Sequence, residues 1–407
     1  MKGKKIVSTL LALLLLASLP VSALAAEWDI GKGDITVNAE SGGQTVTQGG
    51  GAAIPDSAPV ITGTSKENNV TINADSGQTA SVTLSGVNID VRDKGKAAVS
   101  TTGEGNVSIE LNGGSTLRSG YEHAGLEKNN GGSLTIADED KNGKLTAEGG
   151  DWGAGIGGGY EGNGNNIAIS GGEIKATGGV GGAGIGGGDG GNSGGDGGNG
   201  NNITISGGEV TAIGGEFGAG IGGGAGGIGN NIAISGGEVK AIGGICGAGI
   251  GGGMGGKGKY ITVSGVAKLK VQGGVEDEYH GVGAGIGDGG SNAEDGSFLG
   301  GSPIPGAEVE PDTSGLLTTG WIEYYAPGAD MEKDKPTSTT FGTSSQPEKP
   351  IEPAVPEQPE AERGMDAPLY RVTDKDGRDI VYTAEREDGV LTVNVDEDFA
   401  ILTGRLS

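Results

Sequence analysis

Carboxylates clustered in short loops are the first residues of this sequence that could do chemistry, and that chemistry would be cation binding. Asp138-Glu139-Asp140-Lys141-Asn142-Gly143 has the order of acids, amide and glycine found in the first half of a calcium loop. The twelfth position, where a bidentate glutamate belongs, is Gly149, and the preceding residues alternate like a strand, so a tight turn accounts for the segment. Asp189 and Asp196 lie in a Gly-Asp stretch that could also ligate calcium, but asparagine stands where further carboxylates are needed. Asp374-Lys375-Asp376-Gly377-Arg378-Asp379 reads as a turn as well. Calcium is the one cofactor these residues suggest, at Asp138, Asp140, Asn142, Asp189 and Asp196, and no motif requires one.

Acid–base or nucleophilic chemistry has less to work with. Cleaving a glycan needs carboxylates facing across the sugar bond, or a metal-bound carboxylate with a basic group beside it. The repetitive part of the chain holds only Arg92, Arg118, His123 and His280 in those roles, and no pair of aspartates flanked by Arg or His repeats along it. Both histidines read as polar surface or turn residues. Cys246 is the sole cysteine, so no disulfide framework forms within the chain, and it reads as a small buried side chain. The glycine strings are not phosphate loops, because no Lys-Ser/Thr follows them.

What must position these residues is a repeat. GAGIGGG starts at Gly153, Gly182, Gly218 and Gly247, and GAGIGDG starts at Gly283, giving spacings of 29, 36, 29 and 36 residues. Between copies runs NNIAISGGEIKATGG from Asn165, with relatives from Asn201 and Asn230 and a worn copy from Lys259. The longer spacings add residues near Gly190–Gly197 and Val275–Val282, where turns can lengthen without disturbing a core. Within a unit the apolar period is two: Ile167, Ile169, then Ile174, Ala176, and likewise in later units. Two short strands and a crowded segment around Ile156, Ile185, Ile221, Ile250 or Ile286 give three strands per coil. The expected fold is all-β, a right-handed parallel β-helix whose isoleucines stack in files as coils repeat at ~4.8 Å. It should begin near Ile35 and run to about Gly289, with Trp321–Tyr325 as a last strand or cap, inside a domain of residues 26–327.

Composition agrees. Glycine supplies 92 of 407 residues with only 14 prolines, and in blocks, which excludes collagen. Lys2, Lys4 and Lys5, an apolar run to Leu19 and Ala23-Leu24-Ala25 have the form of a signal peptide over residues 1–25, implying a secreted or cell-surface product. Later segments hold no run long enough to span a membrane. The formal charge of −26 argues against nucleic acid as a partner. Residues 328–364 read as an acidic Pro-rich disordered linker, and 365–407 as a small β module with a turn at Asp388-Gly389.

The outer face is the remaining functional surface. Glu173, Glu209 and Glu238 should form a ladder beside Lys175 and Lys240, a flat polar face able to lie along a repetitive polymer or simply to keep the molecule solvated. Tyr160, Tyr260 and Tyr279 sit near turns, where exposed rings could stack on sugars. Trp152, Phe217, Cys246 and Val282 share the position before the glycine string, which favours packing; Gly181 is the exception.

GAGIGGG and ITISGGEV units behind a signal peptide, with GSTLRSG at Gly114–Gly120 and GGSLTI at Gly131–Ile136, resemble the carbohydrate-binding-domain-containing and adhesin-like β-helix proteins of Gram-positive bacteria. The similarity covers roughly residues 60–290 and extends to the pectate-lyase-like superfamily. It implies non-catalytic binding of a polysaccharide or cell-surface glycan, sometimes with calcium. The chain departs from those groups in lacking a sortase-type anchor motif and the lyases' catalytic constellation. A β-helix polysaccharide lyase or hydrolase, and a spacer for the C-terminal module, are the alternatives.

Overall fold

The computed structural model describes residues 25–190, 197–292 and 302–344, and beyond them the backbone of four short strands. Most of the signal-peptide segment, Asp196, the Asp374–Asp379 turn and residues 345–364 of the linker lie outside the described residues.

Alternating apolar residues between glycine-rich corners produce short strands, and these stack coil on coil into three sheets of nine, eleven and ten strands. Sheet I includes Asn106–Asn112, Leu134–Ala137, Ile167–Ile169, Gly200–Ile205 and Gly229–Ile234. Sheet III includes Gly114–Arg118, Lys144–Glu148, Glu173–Thr177, Glu209–Ile213 and Glu238–Ile242. Sheet II passes through Leu126–Lys128 and then the two-residue strands Ile156–Gly157, Ile185–Gly186, Ile221–Gly222, Ile250–Gly251 and Ile286–Gly287. Coil-to-coil pairing is parallel and in register, Ile167↔Ile203↔Ile232 in one sheet and Glu173↔Glu209↔Glu238 in another. The fold is a parallel β-helix. Its isoleucine files are fully buried and form one continuous core.

Glycine in the Ile-Gly strands is required by geometry. Gly157 has φ +137, and a Cβ there would lie 1.9 Å from the carbonyl oxygen of Gly186 on the next coil. The position before the glycine string is also left-handed, at Trp152 (φ 74), Gly181 (φ 76) and Cys246 (φ 62). Gly181 departs from the bulky pattern because a Cβ there would meet the Asp189 carboxylate at 2.1 Å.

Both ends extend further than the periodicity suggested. The helix starts before Ile35: Glu27–Asp29 pairs in parallel with Val60–Thr62, and the Trp28 indole donates to Asp56 at 2.9 Å. At the other end Trp321–Tyr325 stacks in parallel on Lys268–Gln272, as expected of a last strand. Ser338–Phe341, which the composition assigned to the linker, then pairs antiparallel with Trp321–Tyr324 and covers that edge. Residues 347–407 form a separate unit, in which Tyr382–Glu387 pairs antiparallel with Val390–Val395, and Arg371–Thr373 pairs with Ile401–Thr403. No helix among the described residues is long and apolar enough to cross a membrane.

Candidate functional site

The turns leading from sheet III to sheet II carry an aromatic cluster. Trp152 sits in the left-handed position of its turn and is partly exposed. Its ring centroid is 4.6 Å from Tyr121, on the preceding coil, and 5.0 Å from Tyr160, which follows the glycine string. Tyr121 is 49% exposed and Tyr160 37%, so rings that could have been buried instead form a surface strip. The backbone fastens the strip: Glu122 N donates to Asp151 O at 2.9 Å, and Tyr160 N donates to Glu122 O at 2.8 Å. A hydrogen bond with Glu161 is the main cause of a raised Tyr160 pKa. Tyr160 was a sequence candidate; Trp152 was read as packing and Tyr121 was missed. The signal lay in the fact that Trp152 is a bulky residue at a column position where another coil uses glycine.

Beside the strip, His123 Nδ1 lies 2.7 Å from the Glu127 carboxylate, which also accepts from Ala124 N at 3.1 Å and from Asn129 Nδ2 at 2.7 Å. Glu127 is buried on the outward side of sheet II, in register with Ser100 and Gly157, beneath the loop that carries His123. The hydrogen bond to Glu127 raises the pKa of half-buried His123. At the end of sheet III, Asp90, Arg118 and Glu148 form one column, with Arg118 Nε donating to Glu148 Oε2 at 2.8 Å. This carboxylate–arginine arrangement across coils is absent from the repeat pattern because it lies upstream of the regular units.

The glutamate ladder is in place as a column: Glu173, Glu209 and Glu238 stack, with Lys144 before them and Lys268 after. Lys144 Nζ is paired with the Glu173 carboxylate. Asp138, Asn142, Lys144, Glu173 and Glu209 line a single open groove of about 460 Å³, so the acidic turn and the ladder share one surface. Within the turn, Asp138 Oδ1 accepts from Asn142 N at 3.1 Å and Asn142 Oδ1 accepts from Gly113 N at 3.1 Å, the bonds of a coil corner; Asp140 is exposed. Asp189 is buried elsewhere, its amide donating to Trp152 O at 2.8 Å.

The other two tyrosines lie apart from the strip. Tyr260 is 76% exposed and holds φ 53 in the column otherwise filled by Asn166, Asn202 and Asn231. Those asparagines make a side-chain ladder, Asn202 donating to Asn166 at 2.9 Å and Asn231 to Asn202 at 2.8 Å. Tyr279 packs edge-on against His280 at 6.4 Å. His280, expected on the surface or in a turn, lies in the looped Val275–Val282 insertion and is buried there, folded inward against Asp277.

Sequence comparison agrees with this geometry. The Beta helix repeat family model matches residues 141–160, 167–189, 203–225 and 232–254, and each of the last three segments takes in all or part of one strand from each of the three stacked sheets. The matched coils are similar to β-helix repeats. The match and the stacked parallel sheets support an architecture of the pectate-lyase-like type. No curated protein and no solved structure matches the chain.

Proposed function

We propose that this β-helix is an exported, non-enzymatic protein that binds a polysaccharide or cell-surface glycan along its outer face. The observation that carries the reading is the Tyr121–Trp152–Tyr160 strip. Ring faces left at the surface present apolar area that the C–H faces of a sugar ring can cover, while nearby polar groups bond its hydroxyls. Glu122, Glu161 and Asp151 supply such groups around the strip. The groove along Glu173 and Glu209 provides a second, polar contact for a chain running with the helix axis, and calcium could join there through Asp138 and Asn142. Export rests on the Lys2–Ala25 segment.

One observation favours a second reading, cleavage of an acidic polysaccharide: the Asp90–Arg118–Glu148 column precedes the turns that carry Tyr121 and Trp152. Arg118 is flanked by carboxylates and paired with one, so it is held as a charged, positioned group.

Both readings are tested together by incubating the full chain with arrayed and insoluble polysaccharides, with calcium or with chelator, and assaying the same wells for new reducing or unsaturated ends. Retention without product is the expected result. Product release would replace binding by cleavage, and no retention on any glycan would overturn both in favour of a spacer.

A further inference from the structure

The 36-residue coil that ends the regular repeat carries a side-chain set unlike any other among the described residues. The insertion Val275–Val282 folds back over the preceding coil, where Cys246 occupies the left-handed turn position. Cys246 N donates to Val275 O at 2.8 Å, Gly290 N donates to Cys246 O at 2.6 Å, and Asp277 N donates to His280 O at 3.1 Å, which closes the loop on itself. The Cys246 sulfur faces this loop, 3.6 Å from Val275 O and 3.7 Å from His280 O. The Asp277 carboxylate accepts from Tyr279 N and His280 N at 2.7 Å, and both its oxygens lie 3.0 Å from His280 Nδ1.

The sole cysteine and one of only two histidines thus meet an aspartate, with one ligand atom from each within 4.8 Å of the others. We infer that Cys246, Asp277 and His280 form a binding site for a divalent transition metal of the zinc class. This goes beyond glycan binding and does not depend on it.

Three features carry the inference. The donor set of one sulfur, one imidazole and one carboxylate is the chemistry of zinc, whereas calcium takes oxygen alone. The spacing is near what a small tetrahedral ion needs: metal–ligand bonds of about 2.0–2.3 Å put ligand atoms about 3.5 Å apart, so the three groups close by roughly an ångström. Cys246 and His280 are buried while Asp277 is partly exposed, which describes a site closed by protein on most sides and reached past the carboxylate. A cation bound here would take the place of the thiol proton, because the thiolate is the metal ligand. Binding would displace that proton and stitch the insertion to the coil beneath it, at a point where the repeat's own backbone register is interrupted.

The test is titration of cobalt(II), a spectroscopic stand-in for zinc, into the full chain, metal-free and reduced. Since Cys246 is the sole cysteine, a sulfur-to-cobalt charge-transfer band reports on that one side chain. The expected result is a band that saturates at one cobalt per chain, is abolished by Cys246→Ser and is lost on adding zinc. Asp277→Asn keeps the shape and hydrogen-bond acceptor but is a weaker ligand, so it should weaken cobalt binding about tenfold or more while leaving the metal-free unfolding midpoint close to wild type. Absence of the band in folded, reduced wild-type protein would overturn the site. So would a band that survives Cys246→Ser, or cobalt affinity unchanged in Asp277→Asn.

Discussion

The rings of Tyr121 and Trp152 lie 4.6 Å apart, centroid to centroid, on successive coils, with no register pairing between the two residues. Trp152 reaches Tyr121 because its backbone is left-handed, a conformation that costs a bulky residue about 1 kcal/mol or more. A residue held in such a conformation at a surface position is a reason to look for function there.

Trp152→Gly separates that function from folding. Gly181 already fills the equivalent position one coil on, with φ 76, so the backbone accepts the change. The variant should keep the wild-type far-UV spectrum and lose glycan binding by at least about tenfold, equivalent to about 1.4 kcal/mol. Retained affinity in quantitative pull-down would remove the strip from the proposed site.

Gly157→Ala tests the close stacking of coils. The added Cβ would meet Gly186 O at 1.9 Å, and φ +137 strains any side chain. A loss of about 3 kcal/mol is expected from overpacking and backbone strain, read as a lower midpoint in chemical denaturation. Gly42→Ala is the matched control, because nothing lies within 4 Å of its Cβ.

Tyr260→Asn should stabilise. It restores the residue type that the column uses at Asn166, Asn202 and Asn231, relieves a left-handed tyrosine and continues the side-chain ladder. The gain should be about 1 kcal/mol in unfolding experiments. If Tyr260 also contacts glycan, the same variant binds less while being more stable.

The His123–Glu127 pair makes stability depend on pH with a definite sign. Glu127 raises the folded-state pKa of His123 above the ordinary 6.5, so the stabilisation is complete below that ordinary value and fades as pH rises through the raised one. The difference in unfolding midpoint between wild type and Glu127→Gln should therefore be largest near about pH 5 and shrink toward about pH 8. A difference independent of pH would mean that the pair acts only as a neutral hydrogen bond.

Lys128 has the opposite sense. Its ammonium is buried and donates to Asn130 O at 2.7 Å, and desolvation lowers its pKa from 10.5 to about 8. The unfolded chain holds that proton more tightly, so stability is reduced below about 8 and recovers as pH rises toward 10.5. Lys128→Met should raise the unfolding midpoint at neutral pH, and the advantage should narrow on alkalinisation.

How much of this was legible in the sequence follows from what each signal measures. The period-two isoleucines and the spacing of GAGIGGG report contacts that recur identically on every coil, and they sufficed for the strands, the register of Glu173, Glu209 and Glu238, and the parallel β-helix. The same logic failed where the pattern is irregular: it started the helix at Ile35 and ended the domain before Ser338–Phe341, and it carried no sign that the His280 loop folds inward. A repeat carries information about columns, because stacking makes every coil repeat the same environment. Sites made by the exceptions to it carry none in advance.

The sequence by itself determined the core, since side-chain alternation decides which atoms face inward whatever the turns do. Only the tertiary structure decided that Tyr121 meets Trp152 and Tyr160, that Asp138 shares a groove with Glu173, and that Cys246 meets Asp277 and His280. Those meetings depend on left-handed turn residues and one inserted loop, whose side-chain directions are set by backbone dihedrals that residue spacing does not encode.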